Sequence, residues 1–272
     1  MSWISLRITP DSNRDGVIAA LFESGSQGVQ EDGASVVTHF PAGARIDDIR
    51  DAVMTADPRA DIAVSEAPDT DYSAWRASVS KHRVGKLVIA PPWLAGELDP
   101  QTTIVIDPAM AFGTGEHPTT RGVMRLMQGV VCPGDVVADL GSGSGALSIA
   151  AAKLGARRVT AIEIDPDSIG NAEENVRANG VGERVEVIEG DAATLLPLLA
   201  PVRVVLANII SSALISLLPT IRVSLDARGQ AILSGILCEE REAMLAALDA
   251  DGWTVEREDT EDAWWSVQIA PR

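Results

Sequence analysis

Val136-Val137-Ala138-Asp139-Leu140-Gly141-Ser142-Gly143-Ser144-Gly145 is the stretch that decides the fold of this chain. An apolar run carrying an acid near its end gives way to three glycines alternating with serines. Ala146-Leu147-Ser148-Ile149-Ala150-Ala151-Ala152 then starts a helical pattern. A strand, a tight turn and a helix are therefore predicted. Glycine lets a backbone turn sharply and lets a second molecule come close. The helix N-terminus behind such a turn presents unpaired N–H groups to a ligand. Together these features describe the floor of a nucleotide-type cofactor site.

Outward from this stretch, strands and helices alternate. Strands are expected at Thr103–Ile106, Arg158–Ile164, Arg184–Glu189, Val202–Ala207 and Gln230–Ser234. Helices are expected at Thr119–Gln128, Ala146–Leu154, Pro166–Asn179, Ser211–Leu225 (interrupted at Pro219) and Glu239–Asp251. This alternation implies a mainly parallel sheet covered by helices on both faces. Thr254–Arg257 and Trp264–Ile269, with no helix between them, suggest an antiparallel hairpin at one edge.

Ligands of open α/β sheets sit beyond the carboxyl ends of the strands, so the polar residues at those ends are the candidates. Gly141-x-Gly143-x-x-Ala146 also satisfies the loose dinucleotide fingerprint. Asp139 tips the balance, because its carboxylate would accept from a cationic amino group, directly or through water, and would repel a pyrophosphate. The turn also lacks any Arg or Lys to neutralise phosphates. A ligand that is uncharged or cationic near the turn, such as S-adenosylmethionine, fits better. Glu163, 24 residues after Asp139, is placed for two ribose hydroxyls, in NAD and in S-adenosylmethionine alike. Asp191 is placed to accept from an adenine amino group, and helix capping explains it equally well. Asn208 ends the fourth strand and should face the reacting group; capping the helix that follows is its plainer reading. Asp165 and Pro166 need no more than a helix start.

The segment Asp107–Thr120 is dense in turn formers and precedes a helix. Gly113 and Gly115 permit close backbone approach, and Thr119 or Thr120 can cap the helix start. Phe112 is a candidate lid over a ligand. No Ser-His-Asp arrangement or clustered metal ligands accompany His117, and no metal site is expected.

Residues 1–66 read as a separate small α+β unit. Strand, helix, two strands, helix and strand follow one another at Trp3–Ile8, Arg14–Glu23, Val29–Phe40, Arg45–Ala56 and Asp61–Glu66, which suggests a ferredoxin-like sandwich. Residues 67–95 connect, with a short helix over Asp69–Lys81 carrying Tyr72 and Trp75, then a strand at Lys86–Ala90 stopped by Pro91-Pro92. Residues 96–272 form the cofactor-binding domain. The chain has 272 residues and a formal charge of −17. That charge opposes binding to nucleic acid through phosphates. It suits a basic partner attracted over long range, with solubility as the competing explanation. No apolar run approaches the roughly 20 residues of a membrane span, and the N-terminus lacks the features of a signal peptide. Two distant cysteines, Cys132 and Cys238, fit a reducing cytoplasm.

Four motifs together carry a family resemblance: Ala111-Phe112-Gly113-Thr114-Gly115-x-His117-Pro118-Thr119-Thr120, Asp139-Leu140-Gly141-x-Gly143-Ser144-Gly145, Ala207-Asn208-Ile209 and Leu233-Ser234-Gly235-Ile236-Leu237. The chain resembles the bacterial methyltransferases of ribosomal protein L11, the PrmA family, over nearly its whole length. The 111–120 segment is the specific part; the glycine turn is shared by very many methyltransferases. The resemblance implies a Rossmann-like class I methyltransferase domain, with a mainly parallel seven-stranded sheet and an antiparallel edge hairpin, behind a substrate-recognising N-terminal domain. It implies S-adenosylmethionine as cofactor and amino groups of ribosomal protein L11, lysine side chains or the N-terminal α-amine, as acceptors. It maps cofactor contacts onto Thr120, Gly141, Glu163 and Asn208. Phe112, Gly113, Thr114, Asp139, Gly143 and Asp191 complete the expected cofactor site, with Asn208 as the catalytic residue. A cytoplasmic monomer is expected. Glu163 stands where the family usually has Asp, and Glu116 where Thr or another residue is common. Asn208-Ile209-Ile210-Ser211 replaces the Asn-Pro-Pro-Tyr of glutamine methyltransferases, which argues against a planar amide acceptor. A nicotinamide-dependent oxidoreductase and a catalytically silent binding protein remain as alternatives.

Overall fold

The structure is a computed structural model that describes residues 3–26, 29–41, 43–66, 79–107, 113, 115 and 117–272. It divides into two compact units, residues 1–78 and 79–272.

In the first unit β1 (Trp3–Thr9), α1 (Arg14–Glu23), β2 (Val29–Asp32), β3 (Ser35–Pro41), α2 (Ile46–Ala56) and β4 (Asp61–Glu66) follow the expected order. The strands form one antiparallel sheet in the order β2-β3-β1-β4. Alternate residues of each strand point to one face, so Leu6, Ile8, Val36 and Phe40 pack against Val17 and Leu21 of α1 and Ile49 and Val53 of α2. The buried Asp57 carboxylate accepts from the backbone N–H groups of Asp11, Ser12 and Asn13 at 2.8–2.9 Å. Those donors hold its pKa down at about 2.

The second unit begins with β5 (His82–Val84), β6 (Leu87–Ala90), a helical turn α3 (Pro92–Ala95) and β7 (Thr103–Val105). β5, β6 and β7 form a small sheet of their own. The strands at 82–90, read from the sequence as part of a connecting segment, thus lie inside this unit. Tyr72, Trp75 and most of the helix expected at 69–81 lie outside the described residues. The main elements follow: α4 (Pro118–Met127), β8 (Val136–Leu140), α5 (Ala146–Lys153), β9 (Arg158–Glu163), α6 (Pro166–Ala178), β10 (Val185–Glu189), α7 (Ala192–Leu199), β11 (Val202–Asn208), α8 (Ser211–Ser224), β12 (Leu225–Leu237), α9 (Arg241–Ala250), β13 (Trp253–Glu261) and β14 (Trp264–Pro271). Seven strands make one sheet in the order β10-β9-β8-β11-β12-β14-β13. The first five are parallel and the last two close the edge as the expected antiparallel hairpin.

Both faces of this sheet are covered, and the central strands show it by near-continuous burial, alternate residues entering opposite cores. Val137, Val204 and Leu206 face a core shared with α4 and α5. Ala138, Leu140, Val205 and Ala207 face a second core shared with α7, α8 and α9. The valine and leucine side chains contribute about 1.5–3 kcal/mol each on full burial, and the two cores fix the register of every strand that carries a candidate residue.

Several elements differ from expectation: β5 and α3 are absent from the sequence reading, and β13 runs on to Glu261 past the expected Arg257. α7 is absent from the sequence reading, because its eight residues include Pro197 and lack a polar stripe. α8 runs unbroken through Pro219; Pro219 and Ile215, whose carbonyl loses its helical donor, are both exposed residues. β12 is longer than Gln230–Ser234, because a bulge between Leu233 and Ile236 lets the apolar run continue in a new register.

Candidate active site

The order of the sheet reverses between β8 and β11, the position at which open α/β folds hold their ligands. Gly141, Glu163 and Asn208 all stand there, at the carboxyl ends of three strands. Gly141, Gly143 and Gly145 adopt positive φ of +69°, +51° and +78°. A Cβ on Gly141 would lie 2.4 Å from Ile209 Cγ2, so only glycine lets the turn pass beneath the β11 end. The N–H groups of Gly141 and Ser142 donate to the Ile162 carbonyl at 2.9 and 3.1 Å, tying the turn to β9.

Glu163 is buried. Its Oε2 accepts from Gly143 N at 2.8 Å, and its Oε1 accepts from Ile164 N at 2.9 Å and Asp165 N at 3.0 Å. This one carboxylate therefore links the glycine turn to the start of α6. Asp139 is fully buried at 0% exposure. Its Oδ2 accepts from Ser148 Oγ at 2.6 Å, while Oδ1 has no hydrogen-bond partner among the described residues. Burial pushes the Asp139 carboxyl up to about 7; the Ser148 donors oppose that shift and the Glu163 charge adds to it.

The second side of the site comes from residues far away in sequence. Asn175 of α6, buried, donates to the Ser144 carbonyl and accepts from Asp107 N, both at 3.0 Å. Asn179 accepts from Val105 N at 2.9 Å and donates to the Val105 carbonyl at 2.6 Å, continuing the β7 edge by means of a side chain. Ser144 Oγ donates to the Gly113 carbonyl at 3.1 Å. His117 caps α4, its Nδ1 lying 2.7 Å from Thr119 Oγ1. Its ring stands edge-on to Trp264, with centroids 4.8 Å apart at 68°. Burial, helped by the Arg121 charge, lowers its pKa below the ordinary 6.5. Thr120, fully buried, receives a 3.5 Å contact on Oγ1 from Asn208 Nδ2.

Beyond the β11 end lies a cavity of about 300 Å³ lined by His117, Thr119, Asn208, Ile209, Ile210, Gly235 and Trp264. Its walls carry no formal charge once His117 is neutral. Asn208 Oδ1 is a buried acceptor with no partner among the described residues, and an acceptor left unmade costs about 1–3 kcal/mol. Gly235, at φ +84°, allows the Ile209 backbone to approach; a Cβ there would lie 2.3 Å from the Ile209 carbonyl oxygen.

Of the expected residues, the fold gathers Asp139, Gly141, Gly143, Glu163, Asn208, Thr120 and Gly113 around one sheet edge. Phe112 and Thr114 lie outside the described residues. Asp191 is exposed and caps α7, accepting from Ala193 N at 3.3 Å, Thr194 N at 3.2 Å and Thr194 Oγ1 at 2.9 Å. Asn175, Asn179, Ser148 and Trp264 escaped the sequence reading. Asn175 and Asn179 did leave a signal: two amides four apart on one face of a helix otherwise flanked by charge. Among the described residues no group of His, Cys, Asp and Glu is arranged to hold a metal ion, and no helix is long and apolar enough to cross a membrane.

Comparison with known proteins gives a consistent result. Residues 3–271 match the profile of a family described as "Ribosomal protein L11 methyltransferase (PrmA)". A protein of that name from Thermus thermophilus is 34% identical over 251 residues, which cover 92% of this chain and 92% of its own. Its namesake from Myxococcus xanthus is 33% identical over 249 residues, covering 90% of this chain and 84% of its own. Among solved structures, the ribosomal protein L11 methylase from Lactobacillus delbrueckii subsp. bulgaricus aligns with a TM-score of 0.65 at 29% identity, over 71% of this chain and 100% of that one.

Proposed function

Since the chain belongs to the ribosomal protein L11 methyltransferase family, we propose that it is an S-adenosylmethionine-dependent N-methyltransferase of that ribosomal protein. Lysine side chains, the N-terminal α-amine or both are its acceptors. The observation that carries this reading is Asn208, which lines an uncharged cavity and has a buried Oδ1 without a partner among the described residues, on the same sheet edge as the glycine turn and Glu163.

The residues fit the cofactor. Gly141 and Gly143 leave the turn open to close approach, Glu163 offers a carboxylate for ribose hydroxyls, and Asp139 lies buried beneath the turn with Oδ1 unpartnered among the described residues. Thr120, Gly113 and Asn208 border the same edge, and Phe112, Thr114 and Asp191 complete the proposed set. When bound, S-adenosylmethionine supplies an electrophilic methyl group on its sulfonium sulfur. The chain's own task is to deliver a neutral amine. A lysine side chain with a pKa near 10.4 loses about 4.6 kcal/mol to deprotonation at pH 7. An uncharged, largely apolar cavity lowers that demand by disfavouring the ammonium. Asn208 Oδ1 accepts one amine N–H and so orients the lone pair; alignment of this kind supplies much of the remaining acceleration. The leaving proton passes to water.

A nicotinamide oxidoreductase is not favoured, for the turn holds no cation for a pyrophosphate. The acidic first unit, with 5 Arg against 11 Asp and Glu in residues 1–66, suits recognition of a basic ribosomal protein. A cytoplasmic monomer completes the proposal. Calorimetric titration tests the cofactor: S-adenosylhomocysteine should bind one-to-one and NAD should give no heat. Binding of NAD with no response to S-adenosylhomocysteine would reverse the assignment.

A further inference from the structure

Arg121 sits on α4, one turn beyond His117, and reaches two segments of chain at once. Its Nη1 donates to the Gly115 carbonyl at 2.9 Å. Its Nε and Nη2 both donate to Glu261 Oε1, at 2.9 and 2.5 Å. Arg125, one turn further along α4, binds Asp259 through both carboxylate oxygens at 2.8 and 2.5 Å and meets Glu261 Oε2 at 2.7 Å. Glu261 therefore uses one oxygen for each arginine. Burial pushes its carboxyl up, and the hydrogen bonds from the two arginines outweigh that and hold it below its ordinary range.

The two segments lead to the two walls of the cavity. Gly115 is two residues before His117. Glu261 ends β13, Asp262 turns at φ +53°, and Trp264 opens β14 three residues on. His117 and Trp264 meet edge-on, with ring centroids 4.8 Å apart, and both line the cavity. Gly115 has no room to shift inward, since a Cβ on it would lie 2.6 Å from Ile89. A planar guanidinium with donors in a fixed fork suits such a bridge, whereas a lysine ammonium is a point donor on a flexible stem.

We propose that Arg121 is a positioning residue for methyl transfer, a bridge that fixes the spacing of His117 and Trp264 and hence the pose of the acceptor amine beside Asn208. The bridge lies outside the cavity and touches neither cofactor nor acceptor. This role rests on the methyltransferase reading given above.

The test uses the full chain with Arg121→Lys, which keeps the charge and loses the fork. Three readouts are taken: kcat for methyl transfer to ribosomal protein L11, the Kd for S-adenosylhomocysteine, and the His117 ring resonances. The chain has only three histidines, so those resonances are assignable, and the Trp264 ring current marks them. The expected result is kcat lower by about 10- to 100-fold, Kd within about twofold, and His117 resonances moved toward their free positions. A kcat within twofold of the parent, an unmoved His117 signal, or an equal loss of cofactor affinity overturns the proposal. Should Arg121→Lys not fold, Glu261→Gln, which leaves the Arg125–Asp259 pair intact, is judged by the same three criteria. The resonances are read without turnover, so an inactive parent chain would sink the methyltransferase reading while the bridge is still tested.

Discussion

The two sides of the site are built differently. The cofactor side is local: Asp139 bonds Ser148 nine residues away, and Glu163 bonds Gly143 at a separation of 20. The acceptor side is assembled from afar: Asn208 meets Thr120 across 88 residues, and Arg121 meets Glu261 across 140. A site for a constant ligand can sit inside one strand–turn–helix unit. A site for a variable protein partner takes its walls from whatever elements the fold brings to the same edge. The two sides should therefore fail separately.

The largest separation is expected at Asn208. Asn208→Ala should reduce kcat about 10²- to 10³-fold, in the range of a lost polar group that acts on the reacting atoms, with S-adenosylhomocysteine affinity, to which Asn208 also contributes, falling by far less in calorimetry. Equal loss of both would erase the distinction. Gly235→Ala should come next. Its Cβ would press on the Ile209 carbonyl at positive φ, and urea unfolding should show a loss of about 2–4 kcal/mol from overpacking and left-handed strain. An undiminished midpoint would mean that the bulge is not fixed as described. Glu163→Gln attacks the cofactor side. Charge-assisted bonds of this kind are worth about 1.5–3 kcal/mol, so cofactor binding should weaken roughly 30-fold while kcat at saturation holds within a few-fold; a collapse of kcat would show the two sides to be one.

The last effect is spread over several pH units and is read as a slope. Asp139 folds with a pKa raised from 3.8 to about 7. Between those values the folded chain holds a proton that the unfolded chain has released, so stability falls as pH rises, by up to about 1.4 kcal/mol per unit, and levels off above 7. Asp139→Asn should remove that slope from a series of urea unfolding curves. Matching slopes in the parent and the variant would place the proton elsewhere.

The same contrast explains what the sequence discloses. The β8 strand, its glycine turn and α5 are contiguous, so periodicity and turn chemistry reveal them, and the acid at the β9 end follows from the next repeat. The bulge at Gly235, the continuous α8 through Pro219 and the short α7 depend on packing partners or solvent exposure that no local pattern records. Among the site residues, Asn208 was legible because strand ends face ligands. Trp264 and Arg121 were not, since one belongs to the edge hairpin and the other to a helix in the sequence reading, and only the folded sheet brings Trp264 to the cavity and Arg121 against the hairpin that carries it. Asp191 stands two residues past the end of β10 and caps α7, the plainer of its two sequence readings.

Transfer of a labelled methyl group from S-adenosylmethionine to purified ribosomal protein L11 is the decisive measurement. The account predicts incorporation that depends on Asn208, with the label recovered after acid hydrolysis on lysine or α-amino nitrogen. No incorporation by the intact chain, or label on a glutamine amide, would contradict it.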